Sequence, residues 1–162
     1  MRIRDILDPR RILLSLSGDS KREILTQLAG SVTRTHRSLE QEHLVSVLLN
    51  REEISTTAIA DGIAIPHAKM PVGDEVICAF GRNYTGLEFQ SIDGKPTRLF
   101  FLLVSPQSHP SVHLRWLAHL AVLLKSAQLR RALLEAETAE AVLDTICAEE
   151  VRSSAPMPLD EQ

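Results

Sequence analysis

Gly62-Ile63-Ala64-Ile65-Pro66-His67-Ala68-Lys69 is the stretch from which the fold reads outward. Three apolar residues follow a glycine, as in a short buried strand, and Pro66 then marks the strand end because it has no backbone N–H to give to a ladder. Its fixed φ stiffens the backbone just before His67. An imidazole held on rigid backbone at a strand end suits a nucleophile, a general base or a metal ligand. A solvated surface histidine beside a turn is the structural alternative.

Upstream, Ser55-Thr56-Thr57-Ala58 is turn material. Before it, Leu44, Val45, Leu48 and Leu49 recur at helical spacing, predicting a helix over Glu40 to Glu53. Ser20 with Glu23 three residues on forms a capping-box signal for a helix over 21–35. Residues 1–19 read as an irregular lead-in with a strand-like patch at 11–16. His36 and His43 fall among polar neighbours and read as solvated.

Downstream, Glu75 to Gly81 reads as a buried strand and Leu87 to Phe89 as a brief extended piece. Asp93-Gly94-Lys95-Pro96 is a strong turn signal. Arg98 to Val104 is apolar nearly throughout, which suits a central strand covered on both faces. Ser111 is placed to cap the helix that carries Leu114, Leu117, Leu120, Ala121 and Leu124. Two more helices are expected at Ala127–Glu137 and Ala139–Glu149, with Thr138 as the cap between them. Helices, then strands, then helices predict an α/β fold, a sheet with helices on both faces. The expected division is one domain over 1–150 and a disordered, charged, Pro-containing tail over 151–162.

The chain has 162 residues and a formal net charge of −3. That balance gives no general pull toward nucleic acid or an anionic membrane. Cys78 and Cys147 stand in unrelated contexts, so a disulfide framework is unsupported and a reducing cytoplasm fits. The amino terminus lacks a signal-peptide pattern, and the apolar run Leu99 to Val104 is far short of the roughly 20 residues a membrane helix needs. A soluble cytoplasmic protein is expected.

Three features converge in principle on one site. His67 lies at the strand end, and His113 just inside a helix start, where unpaired N–H groups favour anions. Arg51 and the Ser55-Thr56-Thr57 hydroxyls lie at the exit of the second helix, and the guanidinium is a permanently charged fork matched to phosphate. Together these are what a phosphorylated imidazole needs. Each has a plainer reading: a helix-end cation, turn-forming hydroxyls, a histidine bonded to backbone. His119 lies off the face of His113 and reads as structural or exposed. His109 and His113 have a zinc-compatible spacing, but Pro110 separates them and no nearby cysteine or carboxylate completes a set.

With those residues in view, the chain resembles the enzyme IIA domains of the bacterial phosphotransferase system. The match is to the fructose/mannitol type, and within it to the nitrogen-regulatory members. The resemblance covers about 1–150, and Arg51 through Lys69 carries it: an arginine, a hydroxyl-rich turn, then Gly-Ile-Ala-Ile-Pro-His. Phe89 to Pro96, Leu99 to Val104, Pro106 and the His113-Leu114 pair support it.

The resemblance implies a mixed β-sheet between helical layers. It makes His67 the phosphorylated residue and His113 the second active-site histidine. Arg51, with a hydroxyl of Thr56 or Thr57, would neutralise the phosphate. No cofactor or metal is implied. The donor would be an HPr-like phosphocarrier protein, and the receivers either regulated proteins (a transporter or sensor kinase) or a IIB domain. Ala58, Ala60 and Ala68 stand where the family commonly has glycine, and Asp61 where it has asparagine. Alanine at 68 would be strained if that position required φ > 0, and Asp61 would weaken phosphorylation if its charge lay near the phosphate. A binding module that keeps the fold without phosphotransfer is the alternative from a different class.

Overall fold

The computed structural model describes residues 1–154. Its centre is a pair of antiparallel strands, β4 (Ile77–Leu87) and β5 (Thr97–Pro106), in register from Ile77 opposite Val104 to Arg82 opposite Leu99. β1 (Leu7–Leu13) runs parallel to β4 on one side. β2 (Ile63–Ala64) and β3 (His67–Met70) both run parallel to β5 on the other. The sheet is therefore mixed, in the order β1-β4-β5-β2, with β3 continuing the edge beyond β2.

Side-chain alternation along β5 divides the interior into two cores. Leu99, Phe101 and Leu103 join Cys78 and Phe80 beneath α3 (Pro110–Leu123), α4 (Ala127–Glu135) and α5 (Ala139–Ser154). Phe100, Leu102 and Val104 join Ile77 and Ala79 beneath α1 (Lys21–Thr35) and α2 (Gln41–Ile54). The result is a three-layer α/β/α architecture. Edge-to-face rings lie in each core: Phe80 on Phe101 at 5.1 Å and Phe89 on Phe100 at 5.3 Å. Burying each such Leu or Phe contributes on the order of 2 kcal/mol, so β5 alone specifies much of the fold.

The Ser20 cap forms as expected, its hydroxyl accepting the Glu23 N–H, and Thr138 accepts the N–H of Ala141. Other boundaries move. The lead-in is a strand that starts at Leu7, hidden by Pro9, which an edge strand tolerates. Where the β1–β4 register slips between Leu7 and Ile12, buried Arg11 donates to the carbonyls of Ile6 and Cys78 and to the Thr35 hydroxyl. The pieces expected at 75–81 and 87–89 are joined in one strand, β4, which runs only from Ile77 to Leu87 and has its own register break before Leu87.

α3 is capped two residues earlier than Ser111. His109 is its N-cap and Pro110 its first residue, where a missing N–H loses nothing. α4 stops at Glu135 rather than 137, its end carbonyls taken by Arg82, which donates to Leu133 and Ala136. α5 runs on through Ser154, so the expected tail does not start at 151; the rest of it, 155–162, lies outside the described residues. His36 is half-buried rather than solvated, with Glu75 on one ring nitrogen and Thr35 on the other. No helix among the described residues is long and apolar enough to cross a membrane.

Candidate functional site

The turn after α2 leads into a small hairpin. Ile59 N–H donates to Ile63 O (2.8 Å) and Ile65 N–H to Thr57 O (3.1 Å). Asp61 and Gly62 form its tip, both in the left-handed region at φ 65° and 77°. Glycine suits such a site, and a Cβ at Gly62 would stand 3.4 Å from the Pro96 carbonyl. Asp61 is one of the few side chains that tolerate this region, and its N–H donates to Asp93.

From the hairpin the chain passes Pro66 and enters β3. Pro66 therefore interrupts the edge strand rather than ending it. Its carbonyl accepts the Leu103 N–H at 2.9 Å, so the pairing with β5 continues past it. His67 opens β3 at the border between the two helical layers. Ala68 is buried in that strand and lies outside the positive-φ set, so the strain expected if it needed φ > 0 does not arise.

Arg51, on the last turn of α2, donates from Nε to His67 Nε2 at 3.1 Å. Its Nη1 is tied to Ser55, to the carbonyl at 2.9 Å and the hydroxyl at 3.3 Å. The other nitrogen of His67, Nδ1, lies 2.8 Å from the Ile65 carbonyl. A carbonyl only accepts, so Nδ1 carries the proton and Nε2 keeps its lone pair, turned toward Arg51. His113 packs beside it, ring centroids 5.2 Å apart. Val47, Arg51, His67, Ala68, Lys69 and His113 line a cavity of about 350 Å³.

Both imidazoles titrate below the usual histidine range. For His67 burial is the main cause; the Ile65 hydrogen bond opposes it, Arg51 and Lys69 add to it, and Glu52 opposes it. His113 is pushed down to about 4, first by burial and then by His67, Lys69 and Arg51. Its Nδ1 is buried and has no hydrogen-bond partner among the described residues, which is why the imidazolium is disfavoured. At neutral pH both rings are uncharged, and the site's positive charge comes from Arg51 and Lys69.

The structure thus brings Arg51, His67 and His113 together and leaves the two threonines aside. The Thr56 hydroxyl donates to Phe89 O and accepts the Ala58 N–H. The buried Thr57 hydroxyl donates to Glu52. The hydroxyl beside Arg51 is that of Ser55. The start of α3 offers few free donors, because Pro110 has none and the N–H groups of Val112 and His113 both point to His109 O. His109 faces Asp74, and His119 is structural, bonded to Glu150 and set edge-on to Trp116. Lys69 was missed as a site residue, and the alternation placing it on the same face as His67 was the available signal; Ser55 was among the converging hydroxyls, but the resemblance pointed to Thr56 or Thr57 instead.

Residues 5–148 match the family described as "Phosphoenolpyruvate-dependent sugar phosphotransferase system, EIIA 2". The chain belongs to that EIIA family. This EIIA domain is 34% identical to a nitrogen regulatory protein of Bradyrhizobium diazoefficiens, over 90% of this chain and 95% of that one. It is 32% identical to a fructose-specific EIIABC component of Bacillus subtilis, again over 90% of this chain but spanning only 23% of that longer protein. Among solved structures, the nitrogen regulatory protein IIA-Ntr of Neisseria meningitidis superposes with a TM-score of 0.83 at 28% identity, covering 89% of this chain and 98% of the other. The architecture expected for this EIIA domain, a mixed sheet between helical layers, is the one observed.

Proposed function

We propose that His67 accepts a phosphoryl group from the phosphohistidine of a small HPr-like carrier, and that its phosphorylation state then regulates partner proteins. The observation that carries this reading is the Arg51 Nε–H aimed at His67 Nε2 while Nδ1 is tied to Ile65 O. One nitrogen is thereby chosen as the nucleophile, and a cation waits beside it.

In the transfer, the Nε2 lone pair forms the new P–N bond as the carrier's P–N bond breaks. The bonding pair returns to the carrier's ring nitrogen, and Nδ1 keeps its proton throughout. Arg51 moves its N–H from Nε2 to a phosphoryl oxygen, Lys69 adds charge, and the His113 ring closes the other side. Positioning and electrostatic stabilisation suffice for such a loose transfer, and no metal is invoked. Donor and product are both phosphohistidines, so the exchange is nearly isoenergetic and reversible.

The likeness to nitrogen regulatory proteins in sequence and in structure supports the regulatory branch, with a transporter or sensor kinase as the receiver and the cytoplasm as the location. The near-equal identity to a fructose-specific component favours one alternative, a sugar-type EIIA that passes its phosphate to a IIB domain. Incubation with phosphorylated carrier is expected to give one acid-labile phosphate per chain. His67→Ala is expected to give none, and uptake by that variant removes the proposal. Transfer onward to a IIB domain selects the sugar branch.

A further inference from the structure

Beside the site, on the far side of Arg51, lies a buried carboxylate that the proposed transfer does not use. Glu52 is 6% exposed, yet it is an anion. Its Oε2 takes the Lys21 ammonium at 2.9 Å and the Thr57 N–H at 3.2 Å, while Oε1 takes the Thr57 hydroxyl. Lys21 also reaches Gln90 Oε1 at 3.2 Å and stands 4.6 Å over the Phe89 ring. One carboxylate therefore ties together the first residue of α1, the end of α2, the 55–57 turn and the 89–90 loop. The turn it fixes is the strand partner of Ile65, whose carbonyl holds His67 Nδ1.

We infer that Glu52 is a positioning residue for phosphoryl acceptance: anchored by Lys21 and Thr57, it holds the Arg51 guanidinium and the His67 ring in apposition. This rests on the reading of His67 as the phosphoryl acceptor. A buried acid is an expensive way to brace a turn. Desolvating a carboxylate takes several kcal/mol before its partners offset it, and an apolar side chain would brace the same turn without that penalty. What the acid adds is charge. Among the described residues, the charged groups acting on His67 are Arg51 and Lys69, which disfavour its protonation, and Glu52, which opposes them; His113 packs beside it uncharged. Glu52 thus limits how far the two cations depress the basicity of the nucleophile, and a more basic nitrogen is the better nucleophile toward phosphorus.

The test compares Glu52→Gln, Glu52→Asp and Thr57→Val with the wild type, in full-length protein whose thermal midpoint and circular dichroism confirm folding. Two readouts are taken: ring-nitrogen NMR titration of His67, and the rate of phosphate uptake from phosphorylated carrier. Glu52→Gln removes the charge and keeps one acceptor oxygen for Lys21 and the Thr57 N–H, its amide nitrogen now donating to the Thr57 hydroxyl, which accepts instead. It is expected to lower the His67 titration midpoint and cut kcat roughly tenfold with KM for the carrier unchanged. Glu52→Asp is expected to restore much of the midpoint, and Thr57→Val to fall between. A Glu52→Gln protein with wild-type midpoint and kcat overturns the inference, as does a loss seen only in KM. The titration needs no phosphoryl transfer, so a shifted midpoint in a protein that takes up no phosphate condemns the acceptor reading and leaves the coupling of Glu52 to His67 standing.

Discussion

Arg82, in the middle of β4, and Arg51, on the last turn of α2, are two arginines that the molecule uses in opposite ways. Arg82 is almost wholly buried on β4. Its Nε donates to Leu14 O, its Nη1 donates to Leu133 O and Ala136 O, and Tyr84 covers it at 4.3 Å. It joins β4 to the residue that follows β1 and to the end of α4. Arg51 gives Nη1 to its own turn at Ser55 and points Nε at an imidazole lining a cavity. What each donor meets separates the roles: backbone carbonyls make Arg82 a structural cation, and a titratable ring in a cleft is what singles out Arg51 for the proposed phosphate contact.

The contrast breaks most sharply under paired substitution. Arg51→Ala is expected to lower the rate of phosphate uptake by about 10²-fold or more while shifting stability by less than about 1 kcal/mol, read by urea denaturation beside the uptake assay. Arg82→Met should invert the pattern. Stranding three buried carbonyls is expected to remove about 3 kcal/mol of stability, visible as a lower urea midpoint, with uptake per folded molecule close to wild type. An Arg51 variant that unfolds, or an Arg82 variant that is stable but inactive, would erase the distinction.

Acid sharpens it further. His113 has a folded-state pKa near 4 against an unfolded value of about 6.5, so between those limits the unfolded chain binds the extra proton. The sign follows: this stability is complete above pH 6.5 and is lost as pH falls toward 4, on the order of 3 kcal/mol in all. His113→Phe should flatten that slope in denaturation curves taken across this range, whereas Arg82→Met should leave the slope unchanged and lower the whole curve. The smallest effect is expected at Ser55→Ala, which removes only the longer of two Arg51 contacts; uptake should fall by no more than a few-fold.

The same division governs what the residues disclosed in advance. The apolar run of β5, the periodicity of α1 and α2 and the Ser20 cap follow from local chemistry, and they gave the layers and the central strand. The edges were harder. Pro9 looks like a breaker until the strand carrying it proves to be an edge, and Pro66 looks like a final stop until the same edge resumes beyond it at His67; on an edge a proline can turn its missing N–H outward. Arg11 and Arg82 look like surface cations until their carbonyl partners, brought from distant segments, are in place.

At the site, the order Arg51, hydroxyl turn, Pro-His was legible as a string, and Arg51, His67 and the separate His113 do meet. The hydroxyls were not legible, because a run of Ser55, Thr56 and Thr57 does not say which side chain is spent on Phe89, which on Glu52 and which stays with Arg51. Asp61 was weighed as a charge near phosphate, but it sits at the hairpin tip in the left-handed region, and the acid acting on His67 is Glu52.

The most direct test of the central claim is the site of phosphate attachment, read by nitrogen-15 and phosphorus-31 NMR after incubation with phosphorylated carrier. Phosphorus coupled to Nε2 of His67, with the Nδ1 proton still present and bonded to Ile65, is the predicted result. Phosphorus on Nδ1, on another residue or on none would contradict the account.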